Sequence, residues 1–125
     1  MKRLTNGRGV DVVYDSVGAT TFSKSLSSLR PRGLLALFGA SSGPVPPFDP
    51  IQLNSKGSLY LTRPTLWHYI ATRTELDWRA GDVLSWAASG KLKLRTEHTY
   101  PLAEAAQAQI DLEARKTTGK ILLVP

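Results

Sequence analysis

Two apolar runs bounded by glycine, with a helical pattern between them, constrain this chain most. Residues 10–17 (V-D-V-V-Y-D-S-V) follow the turn signal Asn6-Gly7-Arg8-Gly9 and read as a β-branched, aromatic strand that ends at Gly18. Residues 33–39 (G-L-L-A-L-F-G) are a short apolar run between glycines, which suits a strand buried on both faces. Between them, Phe22, Leu26 and Leu29 recur at helical spacing from a cap at Thr20 or Thr21. Arg30-Pro31 is the expected stop, because proline disfavours helix in the residue before it. Strand, helix, strand is a βαβ unit.

The rest of the chain extends that unit. Residues 41–50 carry Pro44, Pro46, Pro47 and Pro50 and are expected to form a loop. A short helical turn at residues 51–56 leads to a third strand at residues 58–62 (S-L-Y-L-T), closed by Arg63-Pro64. A longer helical region follows, in which Leu66, Tyr69, Ile70, Leu76, Val83, Leu84 and Ala87 can share a face; Gly81 is a candidate break and Gly90 the stop. Residues 91–95 alternate K-L-K-L-R, a strand pattern with one basic face. Residues 102–114 read as an alanine-rich helix, and Gly119 precedes a last strand at residues 120–124. The expected fold class is α/β with a mostly parallel sheet.

Composition removes several functions. At 125 residues and 42% hydrophobic, the chain suits one compact domain rather than a disordered segment. Its longest uninterrupted apolar stretch, residues 34–38, falls far short of the roughly 18 residues that suggest a membrane span, and no apolar run follows the first residues as a secretory signal would require. With no cysteine, disulfides, thiolate-bound zinc and cysteine nucleophiles are excluded on this chain. The expectation is a metal-free, cytoplasmic domain. A net charge of +6 favours acidic partners without choosing among them, and the basic residues are scattered rather than massed. The Lys91-Lys93-Arg95 face and the aromatics Trp67, Tyr69, Trp78 and Trp86 are more simply a solvated edge and packing residues, so nucleic acid is not the expected partner.

Parallel strands joined by right-handed crossovers point the same way, so their carboxyl ends share one edge. Those ends are Asp15-Ser16-Val17-Gly18, Phe38-Gly39-Ala40-Ser41 and Thr62-Arg63-Pro64. Ligands of open α/β sheets bind in the crevice outside such ends. Other motifs fail on context. Gly7-Arg8-Gly9 precedes a strand, whereas a dinucleotide fingerprint follows one; Thr118-Gly119-Lys120 lacks the earlier glycine and the following hydroxyl of a phosphate loop. Asp15-Ser16-Val17-Gly18 lacks the first glycine of a nucleophile elbow, and Ser16 with His68 or His98 has no supporting pattern.

The strand-end segments, in order, carry a family likeness. Residues 9–18 (G-V-D-V-V-Y-D-S-V-G), Arg32-Gly33-Leu34, Phe38-Gly39 and Ser41-Ser42-Gly43 resemble the zinc-independent quinone oxidoreductases related to zeta-crystallin, within the medium-chain dehydrogenase/reductase superfamily. The likeness runs on through Lys56-Gly57-Ser58-Leu59, Leu61-Thr62-Arg63-Pro64, Tyr100-Pro101-Leu102, Ala105-Ala106, Arg115 and Thr118-Gly119-Lys120 to residues 122–125. The resemblance implies NADPH-dependent reduction of a quinone by hydride transfer, without zinc and without a covalent nucleophile, so no catalytic side chain is assigned. It also implies the cofactor-contacting positions: Ser16 at the first strand end; Phe38, Gly39, Ala40 and Ser41 at the second; Arg63, Pro64 and Thr65 at the third; and Arg115 near the C-terminus. Ala40 stands where many relatives carry asparagine.

The resemblance begins where a full-length relative is already past its middle. It implies the C-terminal half of a Rossmann-type doubly wound parallel sheet over residues 1–90, and over residues 91–125 a helix-strand segment that belongs to the catalytic domain in full-length relatives. The glycine-rich turn and the residues that select NADPH over NADH lie upstream in the family, so the chain is expected to be inactive alone. Residues 10–17, the family's fourth strand, would be left with an open edge, an association hazard. The strand between Ser58 and Thr62 is expected to pair with its twin in a homodimer. A non-catalytic dimerisation module and an RNA-binding basic domain are the alternatives.

Overall fold

The structure, a computed structural model, describes residues 2–125, with side chains from Arg3 onward. It divides into two compact units, Met1–Tyr69 and Ile70–Pro125.

The first unit runs β1 (Val10–Asp15), α1 (Phe22–Ser28), β2 (Leu29–Leu37), α2 (Ile51–Ser55) and β3 (Tyr60–Thr62), with a short 3-10 turn at Leu66–Tyr69. The strands form one sheet in the order β1-β2-β3, parallel throughout. Val13 pairs with Leu35 and Leu35 with Leu61, so one face stacks Val13, Leu35 and Leu61 across the sheet. Against that face pack Phe22 and Leu26 of α1, with Leu29, Leu37 and Leu59. The proline-rich segment is a loop as expected, yet it is not idle. Val45 and Phe48 lie against the same cluster, and the Phe48 ring tilts onto Phe22 at 4.9 Å between centroids.

One boundary differs from the sequence reading. Arg30-Pro31 does not merely end the helix; it lies inside β2, which begins at Leu29. Val10 pairs with Leu29 while Val12 pairs with Leu34, so the strand enters the ladder, bulges out over residues 30–33 and returns. Proline is tolerated there because a bulge has no ladder bond for it to break.

The second unit runs α3 (Arg73–Ala88), β4 (His98–Pro101), a 3-10 turn at Leu102–Glu104, α4 (Ala105–Glu113) and β5 (Ile121–Val124). β4 and β5 pair in parallel, from His98 with Ile121 to Pro101 with Val124. The alternating residues 91–95 do not form a strand: pairing moves downstream to β4. Leu92 and Leu94 are exposed, leaving no buried face to fix a ladder, and the Leu92 amide turns back to the Trp86 carbonyl at 2.9 Å as α3 closes. Gly81 does not break α3, which passes through it with open space where a side chain would be.

Candidate functional site

The carboxyl ends of β1 and β2 are stitched together by backbone. The Phe38 and Ser41 amides donate to the Asp15 and Ser16 carbonyls at 2.9 and 3.2 Å, and Ser42 donates to Val17 at 2.8 Å through its amide and 2.7 Å through its hydroxyl. Two glycines make the approach possible. A Cβ on Gly39 would overlap the Ser16 carbonyl oxygen and lie 2.7 Å from the Ser16 Cα; one on Gly18, where φ is +90°, would lie 2.8 Å from the Gly43 carbonyl oxygen.

Beneath these loops sits Asp15, the buried carboxylate that organises them. It accepts from the Val17 amide at 2.9 Å, the Gly18 amide at 3.1 Å, the Thr21 hydroxyl at 2.8 Å and the Ser25 hydroxyl at 2.7 Å. Burial is the largest single influence and pushes the carboxyl up. The bonds from Ser25, Val17, Gly18 and Thr21 together outweigh it and hold the group below its ordinary value. Sequence reasoning passed over Asp15 as part of a strand-end phrase, although a carboxylate followed by small, hydrogen-bonding residues is the available signal.

The third strand end completes the edge. Arg63 Nη1 donates to the Leu37 carbonyl at 2.8 Å, fastening the exit of β3 to that of β2. Between them opens a cleft of about 480 Å³ lined by Phe38, Arg63, Pro64, Thr65, Leu66 and Tyr69. The Phe38 ring is half exposed into solvent. Of the residues expected from the sequence, Phe38, Arg63, Pro64 and Thr65 share this cleft, while Ser16, Gly39, Ala40 and Ser41 form the neighbouring loop pair. Arg115 belongs to the second unit, where it holds a left-handed turn after α4 (φ +57°). Leu66 and Tyr69 were not foreseen as lining residues. Read as a 3-10 turn after Pro64, their three-residue spacing puts both on one side.

The remaining candidates resolve plainly. Gly7 and Gly9 both have positive φ ahead of β1, and a Cβ on Gly9 would lie 2.7 Å from the Arg30 nitrogen, so this pair shapes the entry of the strand. His98 Nε2 accepts from the Thr118 amide at 3.4 Å on β4.

A cleft outside the carboxyl ends of a parallel sheet is the ligand position of doubly wound α/β proteins. The chain belongs to the zinc-binding dehydrogenase family, whose model matches residues 1–123. Its homologues include quinone oxidoreductases of the medium-chain dehydrogenase/reductase superfamily. It is 43% identical to the 2-haloacrylate reductase of a Burkholderia species, over 100% of this chain and 38% of that protein. A mycobacterial structure solved with NADPH matches at TM-score 0.90 and 54% identity, over 99% of this chain and 38% of that one. The Escherichia coli quinone oxidoreductase complexed with NADPH matches at TM-score 0.90 and 47% identity, over 99% of this chain and 39% of that one. The chain thus spans less than two-fifths of the length of these relatives and corresponds to their C-terminal part. The family's description names zinc; this sequence has no cysteine, and among the described residues no group of three or more potential metal-ligating side chains comes together.

Proposed function

We propose that this chain supplies the nicotinamide-side half of an NADPH site used to reduce a quinone. The observation that carries the reading is the carboxyl-edge cleft of Phe38, Arg63, Pro64 and Thr65, in a chain that superposes on a quinone oxidoreductase complexed with NADPH. NADPH, when bound, supplies the hydride, and solvent the proton, that together turn a quinone into a hydroquinone.

The chain's own residues bind and orient. The half-exposed Phe38 ring, with Leu66 and Tyr69, offers apolar surface for a flat ring. Arg63 spends one N–H on the Leu37 carbonyl, and a guanidinium has five, so donors remain for a carboxamide or a quinone oxygen. Ser16, Gly39, Ala40 and Ser41 make the backbone rim beside it, and Arg115 is assigned to cofactor phosphate charge. Residues 1–90 are assigned to the cofactor domain and residues 91–125 to the segment that joins the catalytic domain in full-length relatives. The setting is cytoplasmic; among the described residues no helix is long and apolar enough to cross a membrane.

The test is a titration of the chain with NADPH, read by nicotinamide fluorescence, with a quinone added to the same sample. Weak, saturable binding without turnover is expected, since these residues hold no glycine-rich pyrophosphate turn. Arg63→Ala should weaken binding about tenfold. Binding indifferent to Arg63→Ala would remove the cleft from the site, and steady turnover would overturn the half-site reading.

A second reading, a non-catalytic homodimerisation module, is favoured by the outer edge of β3, which has no strand beside it among the described residues. Salt-insensitive dimers in light scattering, with no response to NADPH, would support it.

A further inference from the structure

The opposite end of the sheet carries a second built feature. The bulge over residues 30–33 pushes Arg30 and Arg32 out of the ladder. Arg32 holds a left-handed backbone (φ +59°) that glycine would adopt without strain. Its amide donates to the Gly57 carbonyl at 2.7 Å, and Gly57 (φ +113°) lies so close that a Cβ would sit 3.0 Å from the Pro31 Cα. Non-glycine residues held in this backbone region cost free energy and gather at functional sites.

The neighbouring side chains give that place a charge. Arg30 is fixed by Nε on Asp11 at 2.5 Å and Nη1 on the Pro31 carbonyl at 2.6 Å. Arg8 holds the same carboxylate with two nitrogens, at 3.1 and 2.7 Å. Among the described residues, none pairs with the Arg32 guanidinium. Arg8, Arg30, Pro31, Arg32 and Tyr60 line one open hollow of about 640 Å³, a size within the range of small-molecule sites. Of its three guanidiniums, those of Arg8 and Arg30 share the Asp11 carboxylate, and that of Arg32 has no acidic partner among the described residues. Lys56 lines an adjoining groove with Arg8 and Pro31. Leu61 packs into the core, so Tyr60 lies on the other face of β3, and the residue is 62% exposed.

We propose that this hollow binds the phosphate group of an aromatic phosphomonoester. The fork of Arg32 and the remaining N–H groups of Arg30 take the dianion, and the Tyr60 ring carries the aromatic part. Asp11 is the device that aims Arg8 and Arg30 rather than a ligand contact. The site is independent of the NADPH reading, since it stands at the amino ends of the strands and uses none of the cleft residues.

Phenyl phosphate is the probe, titrated into the chain by calorimetry and by amide chemical shifts. Arg32→Gly keeps and relaxes the left-handed turn, so the variant should melt no lower than the parent while its affinity falls about tenfold or more. Tyr60→Leu should weaken phenyl phosphate about fivefold and leave inorganic phosphate unchanged. Arg63→Ala should leave both untouched. Absence of binding at millimolar phenyl phosphate overturns the proposal. So does binding that Arg32→Gly does not weaken, or a preference for a single-stranded RNA oligomer that is insensitive to Arg32→Gly.

Discussion

The units Met1–Tyr69 and Ile70–Pro125 are built from similar elements and differ in what those elements bury. Among the described residues, the buried hydrophobic side chains Phe22, Leu26, Leu29, Leu35, Ala36, Leu37 and Leu59 lie in the first unit and only Ala108 in the second. The longest helix, α3, buries none of its residues, and Leu76, Trp78, Val83, Leu84 and Trp86 remain exposed. A βαβ unit can close on itself because helix and loop cover one face of its sheet. A helix and a two-stranded pair bury too little to do the same. The first unit therefore rests on tertiary packing, and the second on local bonds.

The sharpest way to break that contrast is a pair of truncations. Leu35→Ala removes a side chain with 0% exposure from the centre of β2 and should cost about 2–5 kcal/mol in urea unfolding. Leu84→Ala, at 69% exposure on α3, should stay within about 0.5 kcal/mol. Equal costs would show that α3 is buried in solution, and the contrast would fall.

The strand-end loops give the next effect. Gly39→Ala forces a methyl group against the Ser16 backbone and should cost about 1–3 kcal/mol. Because the same contact sets the rim of the proposed cofactor site, NADPH affinity should fall with it. A variant as stable as the parent would mean that the two loops are not closed in solution.

Asp15 sharpens the comparison through pH. Its carboxyl is depressed in the folded state, so the stability it contributes is present above the unfolded carboxylate pKa of about 3.9 and is lost as pH falls through the lower folded value. Acid titration of unfolding free energy should show that loss in the parent and not in Asp15→Asn, whose stability at neutral pH should be lower by about 1–3 kcal/mol. In the second unit Asp111 is also depressed, first by Lys116, against the opposing effect of burial, and further by Tyr100 and Gln107. Asp111→Asn should move β4 and α4 locally, with little change in the main transition.

What the sequence reveals follows the same division. The βαβ unit was legible because Leu35, Ala36 and Leu37 are buried in the second run and Val13 of the first run packs against the same core. The cleft was legible as an edge, through Phe38 and Arg63, since parallel strands place their carboxyl ends together. Residues 91–95 misled because alternation predicts a strand only where one face is buried, and Leu94 is 60% exposed. The bulge was hidden because Arg30-Pro31 signals an end of helix equally well before a turn or before a strand. Arg32 in a left-handed backbone has no sequence signature at all.

The smallest effect separates local from global stability most cleanly. Thr72 begins α3 in a reciprocal cap: its hydroxyl accepts from the Glu75 amide at 3.2 Å, and its own amide donates to the Glu75 carboxylate at 3.1 Å. Arg73 and Asp77 add an exposed ion pair one turn on, worth little by itself. With no buried face to anchor α3, removing the cap by Thr72→Ala should cost the helix about 1 kcal/mol. That loss should appear as faster amide exchange across Arg73–Ala88, while the unfolding midpoint of the β1-β2-β3 sheet stays fixed. A midpoint that falls together with the exchange protection would tie α3 to the core of the first unit, and the two units would have to be treated as one cooperative body.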